Sequence, residues 1–147
     1  LLADGWVRCF GYGSDGRLGL GSTDNVGQAA SVLNAGVVDT GITATALAVG
    51  MDHACVITTA SRVRCWGNGD YGKLGYGSSA DVGTAADTTA SVLGDISALH
   101  DEDRVVDLAA GRYHSCALLS ESKWGTGKVK CWGREEYLGF KKPNFVA

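Results

Sequence analysis

A glycine-rich motif occurs more than once in this chain, and this repetition constrains the fold more than any other feature. Residues 63–78 read Val-Arg-Cys-Trp-Gly-Asn-Gly-Asp-Tyr-Gly-Lys-Leu-Gly-Tyr-Gly-Ser, and residues 7–22 carry the same pattern 56 positions earlier. Residues 129–139 begin it again with Val-Lys-Cys-Trp-Gly and then shorten. A fixed period means that each copy is one structural unit that packs against the next. The chain is therefore predicted to be a repeat protein.

A second motif precedes the first motif in each repeat. It reads Leu-Ala-Val-Gly-Met-Asp-His-Ala-Cys-Val-Ile at residues 47–57 and Leu-Ala-Ala-Gly-Arg-Tyr-His-Ser-Cys-Ala-Leu at residues 108–118. The glycine, the histidine and the first cysteine of the two copies are each 61 positions apart. A third echo, Ala-Ser-Val-Leu, occurs at residues 30–33 and 90–93. The small differences in period indicate insertions and deletions in loops.

Each repeat is predicted to contain four short strands. The first three cover residues 45–49, 53–58 and 63–66 in one copy and 104–109, 114–119 and 129–132 in the next, with residues 7–10 as an earlier copy of the third. The Ala-Ser-Val-Leu segments are interpreted as the fourth strand, although their alanine-rich flanks also suit a helical turn. Apolar, β-branched runs bounded by glycine favour strands. The 22 glycines and single proline indicate tight turns, so the fold class is predicted to be all-β.

The two motifs in this order resemble the repeat of the regulator of chromosome condensation family. They combine Gly-x-x-His-x-Cys with Val-x-Cys-Trp-Gly-x-Gly-x-x-Gly-x-Leu-Gly-x-Gly. The resemblance implies a β-propeller of seven four-stranded antiparallel blades. Seven blades at this period need on the order of 400 residues, so 147 residues are expected to form a partial propeller of about two to three blades. Residues 1–44 would end a first blade, 45–103 would complete a second, and 104–147 would form an incomplete third.

Four of the five cysteines are predicted to form two disulfides. Cys55 and Cys65 stand ten residues apart around a hairpin turn, and Cys116 and Cys131 stand fifteen apart around a longer loop. Facing positions on paired strands are close enough for a disulfide, and persistent disulfides imply an oxidising compartment, either extracellular, periplasmic or lumenal. Reduced, buried cysteines are one alternative. A zinc site that includes His53 is another, but it would supply three ligands where a closed site uses four.

The ten-residue spacing of Cys55 and Cys65 gives no partner for Cys9 within this sequence. Its expected partner falls two positions upstream of Leu1, where we therefore expect a cysteine in a longer molecule.

Other motifs favour structural roles. The run Gly67–Gly72 fits Gly-x-Gly-x-x-Gly, but the residues after it form a poor helix for phosphate binding, so turns are expected. His53 and His114 are expected to satisfy backbone groups. The acidic run at residues 100–103 lacks the alternating ligands and central glycine of a calcium loop. We expect no catalytic residue, no metal ligand and no cofactor.

Composition narrows the range of partners. The net charge is −3 and the basic residues are scattered, which argues against nucleic acid as the main partner, and no stretch approaches a membrane span. Trp124 lies in the enlarged hairpin loop and has no equivalent in the other repeats. Because tryptophan is enriched at interface hot spots, it is a candidate partner contact, with packing on a neighbouring blade as the alternative.

The leading functional hypothesis is a non-enzymatic interaction or structural module of a larger extracytoplasmic assembly. Its open blade edges and loops would dock on other protein chains. A glycan- or ligand-binding propeller fragment is the alternative. Guanine nucleotide exchange on a small GTPase is implied by the resemblance, but its loop residues have no match here, and the predicted disulfides argue against a cytosolic role.

Overall fold

The computed structural model describes residues 1–27, 32, 35–121 and 125–139. Six strands form two antiparallel sheets in the orders β1-β2-β3 and β4-β5-β6, which we call the second and third blades. The elements are β1 (Ala44–Val49), β2 (His53–Thr58), β3 (Val63–Gly67), α1 (Ala90–Leu93), β4 (Arg104–Ala110), β5 (His114–Glu121) and β6 (Lys128–Gly133). The predicted all-β fold and the first three strands of both later repeats are confirmed. Within the described residues, no helix has the length and apolar character needed to cross a membrane.

The predicted fourth strand at residues 90–93 is wrong, because this segment forms the single helical turn α1. Alanine and leucine are strong helix formers, and their propensity prevails over the strand pattern here. The outer edge of β3 is met by isolated contacts: Ile96 donates a hydrogen bond to the Val63 carbonyl at 3.0 Å, and Gly67 pairs with Val82. Of the earlier copy at residues 30–33, only Val32 lies within the described residues.

The strand predicted at residues 7–10 is also wrong, since this segment makes a single bridge between Arg8 and Val37. Val38 adds one hydrogen bond to the Val7 carbonyl at 2.8 Å. In the second blade, β2 pairs along the whole of β3, whereas no described strand pairs with residues 7–10 in that way. Without this ladder the segment follows the path of a strand but does not form one.

The glycines after β3 permit a close approach of two backbone segments. A Cβ atom on Gly69, or on its earlier copy Gly13, would overlap a backbone carbonyl across the loop. Instead, the N–H groups of these glycines donate to the side chains of Asp81 and Asn25, both at 2.8 Å. The glycine run therefore folds as a turn in which these backbone N–H groups are hydrogen-bonded within the same loop.

Both blades are cross-linked between their second and third strands. The register of β2 and β3 pairs Cys55 with Cys65, and that of β5 and β6 pairs Cys116 with Cys131. The structure contains a disulfide at each pair, with Cα–Cα distances of 4.1 and 4.0 Å. Each disulfide joins two neighbouring strands of its sheet.

The second and third blades meet at a buried polar cluster, which we call the Lys73 junction. The Lys73 carbonyl accepts hydrogen bonds from the Trp132 indole Nε1 and the Ser115 hydroxyl, both at 2.9 Å. The Lys73 ammonium is buried and lies 3.0 Å from the Asp52 carboxylate. His53 Nε2 lies 2.9 Å from Ser115 Oγ. Hydrogen bonds and an ion pair thus accompany the apolar packing between the blades.

The direction of these hydrogen bonds assigns the tautomer of His53. Because the Ser115 hydroxyl gives its proton to the Lys73 carbonyl, its oxygen must accept from His53 Nε2–H, and Nδ1 carries no proton. Burial, followed by the positive charge of Lys73, lowers the pKa of His53 to about 4. The buried imidazole is therefore neutral at neutral pH.

The Gly-x-x-His pattern reflects contact between the glycine and the imidazole. A Cβ atom on Gly50 would overlap the His53 ring, and one on Gly111 would overlap the His114 ring. The expectation that His53 satisfies a backbone group is wrong, since its hydrogen-bond partner is the side chain of Ser115. Ser115 belongs to the next repeat, so its role could not be read from the motif that contains the histidine.

Equivalent apolar positions in the two blades differ in exposure. Ile57 and Val63, on the face of the second blade that carries His53, are 3% and 1% exposed. Their equivalents in the third blade, Leu118 and Val129, are 38% and 60% exposed. The third blade covers this face of the second blade, while Leu118 and Val129 on its own corresponding face are exposed in the part of the chain that the structure describes.

Replacing both Cys55 and Cys65 with alanine is predicted to lower the free energy of unfolding by about 2 to 3 kcal/mol, because the disulfide closes a short loop in the unfolded chain. Urea denaturation under non-oxidising and non-reducing conditions, followed by tryptophan fluorescence, measures the change. Cys9→Ser, which removes a thiol that is in no disulfide, should have a smaller effect. Equal unfolding midpoints for the double variant and the wild type would contradict this prediction.

Acidification is predicted to destabilise the fold through His53. The unfolded imidazole has a pKa of about 6.5 and the folded one about 4, so between these values the unfolded chain binds more protons. Stability is unaffected well above pH 6.5 and is lost as the pH falls toward 4, by roughly 2 kcal/mol between about pH 7.5 and about pH 5. Denaturant titrations at several pH values measure this loss.

His53→Gln should reduce this pH dependence, because glutamine does not titrate and its amide can still donate to Ser115. His100→Gln is the matched control: His100 is exposed, so its replacement should leave the slope unchanged. Identical slopes for His53→Gln and the wild type would rule out His53 as the source.

Candidate protein-binding surface

Five aromatic and basic side chains cluster on loops where the second and third blades meet. We call them the tyrosine–arginine surface: Tyr71, Arg112, Tyr113, Arg134 and Tyr137. One lies in the turn after β3, two in the turn between β4 and β5, and two after β6. The loops leave strands of cross-linked sheets, which makes them a rigid platform for exposed side chains.

The three tyrosines of this surface form a row. The ring centroids of Tyr71 and Tyr113 are 5.6 Å apart at an interplanar angle of 72°, and those of Tyr113 and Tyr137 are 5.4 Å apart at 54°. These are attractive edge-to-face and tilted arrangements. Tyr71 is 52% exposed and Tyr137 is 50% exposed, so the row is ordered by its own contacts and remains accessible to solvent.

A guanidinium group lies over all three rings. The Arg134 Cζ atom is 4.9 Å from the Tyr71 centroid, 5.4 Å from that of Tyr113 and 5.7 Å from that of Tyr137. Each distance is within the range of a cation–π interaction. Arg134 Nε also lies 2.7 Å from the Glu136 carboxylate, and this hydrogen bond raises the pKa of Arg134 above its ordinary value. Arg134 is thus a permanent cation.

Tyr71 adopts a backbone conformation that bulky residues seldom adopt. Its φ of 62° and ψ of 11° lie in the left-handed region, which costs roughly 1 to 2 kcal/mol for a residue with a Cβ. The equivalent residue of the preceding repeat, Asp15, has a φ of 58°, and aspartate tolerates this region better. Strain of this kind is concentrated at binding sites in proteins. The ring of Tyr71 is therefore held at the surface at an energetic cost.

This surface is absent from the preceding repeat, in the residues described. Asp15 and Asp52 occupy the positions that correspond to Tyr71 and Tyr113. Arg17 there lies over the Tyr12 ring at 5.1 Å, and this contact involves one ring rather than three. The scaffold thus repeats along the chain, while the tyrosine row is specific to one blade junction.

The Lys73 junction contains the residue types of a hydrolytic triad without its chemistry. A catalytic histidine accepts the proton of the serine, whereas His53 donates to Ser115, whose own proton is bound by a carbonyl. Ser115 is also buried. Among the described residues, no group of three or more histidines, cysteines, aspartates or glutamates is placed to hold a metal ion. Ser115 is therefore held as a structural hydrogen-bonding group of the Lys73 junction.

The cysteines of the considered zinc site are bonded to each other, since Cys55 and Cys65 form a disulfide. Cys9 carries a free thiol, and burial raises its pKa. It lines a cleft of about 420 Å³ together with Phe10, Val49 and other residues. Its expected cysteine partner upstream of Leu1 stays a prediction.

Trp124, the predicted partner contact, lies outside the described residues. The tyrosine–arginine surface was not indicated by the sequence motifs, although a signal for it exists. Tyr71 and Tyr113 replace aspartates of the preceding repeat, and such differences between copies mark positions that the scaffold does not dictate.

Comparison with known families matches most of the described repeats. A model described as "Regulator of chromosome condensation (RCC1) repeat" matches residues 44–73 and 105–137. A second model with the same description matches residues 62–118. Together they cover residues 44–137 without a break.

Curated relatives are similar along nearly the whole chain. The E3 ubiquitin-protein ligase HERC2 of Homo sapiens is 29% identical over 151 aligned positions, which cover 99% of this chain and 3% of that protein. The ultraviolet-B receptor UVR8 of Arabidopsis thaliana is 31% identical over 137 positions, which cover 92% of this chain and 27% of the receptor. The chain therefore spans about a quarter or less of these relatives.

Solved structures give the same fold. Yeast RCC1 (Prp20), in a crystal structure with Kap60, superposes with a TM-score of 0.59 and 26% identity, covering 85% of this chain and 27% of that chain. Human WBSCR16 superposes with a TM-score of 0.67 over 90% of this chain and 29% of its own, and at 22% identity this likeness concerns the fold alone. The chain belongs to the regulator of chromosome condensation (RCC1) repeat family and forms part of a β-propeller of that type.

Proposed function

We propose that the chain is a non-enzymatic protein-binding segment of an RCC1-type propeller and that its partner contacts the tyrosine–arginine surface. The observation that carries this proposal is the half-exposed tyrosine row beneath Arg134 at the blade junction. Tyrosine and arginine supply a disproportionate share of binding energy at protein interfaces. Rings that are already ordered by mutual contacts lose little conformational entropy on binding.

The open face of the third blade offers a second, apolar contact area. Leu118 and Val129 are exposed there, and the corresponding face of the second blade is covered by protein. We propose that another protein segment packs on this face in the assembled molecule. The crystal structure of Kap60 bound to yeast RCC1 supports a binding role, because a protein that contains a similar fold forms a complex with another protein.

We further propose that the assembly is extracytoplasmic. Two disulfides in adjacent blades support this location, because structural disulfides persist in oxidising compartments and are rare in the cytosol. The lone thiol of Cys9 is partly buried, which limits its exchange with these disulfides.

A quantitative capture experiment tests the protein-binding proposal. The immobilised chain is incubated separately with the extracellular fraction and with the cytosolic fraction of its source. Bound proteins are quantified by mass spectrometry for the wild type and for Tyr71→Asn combined with Tyr137→Ala. Loss of two interface aromatic rings should reduce specific capture at least about tenfold. Asparagine is chosen at position 71 because it tolerates the left-handed backbone, so stability should be maintained.

Tyr12→Ala is the matched control, since it removes an exposed tyrosine from the corresponding loop of the first repeat. Its capture profile should equal that of the wild type. Equal capture by the Tyr71/Tyr137 variant would refute the proposed surface. Loss of capture after enzymatic removal of glycans from the captured proteins would favour the glycan-binding alternative, and capture of a small GTPase would favour nucleotide exchange.

A further inference from the structure

We propose that Tyr71, Tyr113 and Tyr137 form a cage for an organic cation and that Arg134 is the cage's intramolecular occupant. This inference rests on the proposed function and deepens it, because it names the group with which a partner enters the tyrosine–arginine surface. That group is a cation with delocalised or alkylated charge, either the guanidinium of an arginine or a quaternary ammonium.

Three aromatic rings surround the cationic carbon of Arg134. Three ring centroids lie between 4.9 and 5.7 Å from Arg134 Cζ, and the faces of aromatic rings attract positive charge. An ordinary cation–π pair on a protein surface involves a single ring, as in the contact between Arg17 and Tyr12. Convergence of three rings on one cation is the pattern by which proteins recognise bulky organic cations.

The surroundings of the cage also favour a cation. An open cleft of about 360 Å³ adjoins it and is lined by Tyr71, Gly133, Arg134, Glu135 and Glu136. The Glu136 carboxylate, once released by Arg134, would pair with an incoming positive charge, while the ring faces favour weakly hydrated cations over a compact, strongly hydrated lysine ammonium.

The internal occupant is held loosely enough to leave. Besides its contacts with the rings, Arg134 is held by an ion pair between its Nε and Glu136, whose side chain is 68% exposed. Exposed ion pairs of this kind contribute little to stability. When Arg134 swings out, Glu136 is released at the cleft, where it can pair with the entering cation. The structure thus corresponds to a closed state of the site, in which the wild-type affinity for an external cation is reduced by competition from Arg134.

Removal of Arg134 tests the cage directly. We expect Arg134→Ala to bind choline about tenfold or more tightly than the wild type does, because the cation that lies over all three rings is gone, whereas Arg112 lies over the Tyr113 ring alone. Binding is followed by NMR through the tyrosine ring resonances during titration with choline chloride. N-acetylarginine amide, titrated in parallel, distinguishes the guanidinium from the quaternary ammonium source. The neutral isostere of choline, in which carbon replaces nitrogen, should not bind.

Two further variants complete the experiment. Adding Tyr71→Asn to Arg134→Ala should abolish the gain without unfolding the chain, and Arg17→Ala should leave choline affinity at the wild-type level. Equal affinity for choline and its neutral isostere, or no gain from Arg134→Ala, would overturn the cage. If protein capture is lost in the Tyr71/Tyr137 variant while choline does not bind to Arg134→Ala, the proposed function stands and this inference fails. If choline binds but capture is unchanged, the cage stands as a site and its role in protein binding fails.

Discussion

The contact between the second and third blades depends on the hydrogen bonds that the Lys73 carbonyl accepts. This carbonyl lies two residues beyond Tyr71, and it accepts hydrogen bonds from Ser115 and Trp132 of the third blade, both at 2.9 Å. These two bonds tie the loop that carries Tyr71 to strands β5 and β6, and Tyr113 lies in the turn directly before β5. The tyrosine row spans the blade junction, so its geometry follows from how the Lys73 carbonyl is held. Scaffold and candidate binding surface are therefore physically linked.

The charges at this junction are arranged so that burial is tolerated. A buried ammonium needs a partner, and Asp52 provides one for Lys73 at 3.0 Å. His53 stays neutral beside that ammonium, and so adds no second positive charge. The junction with the preceding repeat lacks this arrangement: Ala54 stands where Ser115 does, and the buried Trp66 Nε1 has no hydrogen-bond partner among the described residues. The two blade junctions therefore differ in polarity, although the backbone of the repeats is similar.

Much of the scaffold could be predicted because it depends on local periodicity. The strand register that places Cys55 opposite Cys65 follows from counting residues around a short turn. In the later repeat the cysteines also face each other, and the additional residues lie in the longer hairpin loop. The prediction failed where strand pattern and intrinsic propensity compete, as at Ala90–Leu93, and where a strand needs a pairing neighbour, as at residues 7–10. The outcome at residues 7–10 depends on a neighbouring strand that the segment's own sequence does not show.

The candidate site was less predictable because its parts are distant in sequence. Tyr71, Tyr113 and Tyr137 come from three loops. Pairing of β5 with β6 brings Tyr113 near Tyr137 within the third blade, and packing between the blades brings Tyr71 to Tyr113. Two of the tyrosines stand where the preceding repeat has Asp15 and Asp52. These differences mark the positions of the surface, but they do not indicate that the tyrosines contact each other. The surface could have been located from the sequence by comparing equivalent positions of the repeats and placing the positions that differ on the known geometry of a propeller.

The central claim is that the blade junction builds the binding surface, and the Trp132→Phe variant tests it most directly. This change keeps an aromatic ring and removes the N–H that donates to the Lys73 carbonyl. The measurement is the intensity of nuclear Overhauser cross-peaks between the Tyr71 and Tyr113 rings, recorded for variant and wild type. We predict weaker cross-peaks together with a loss of about 1 to 3 kcal/mol in the free energy of unfolding. Cross-peaks of wild-type intensity in a variant destabilised to this extent would contradict the claim.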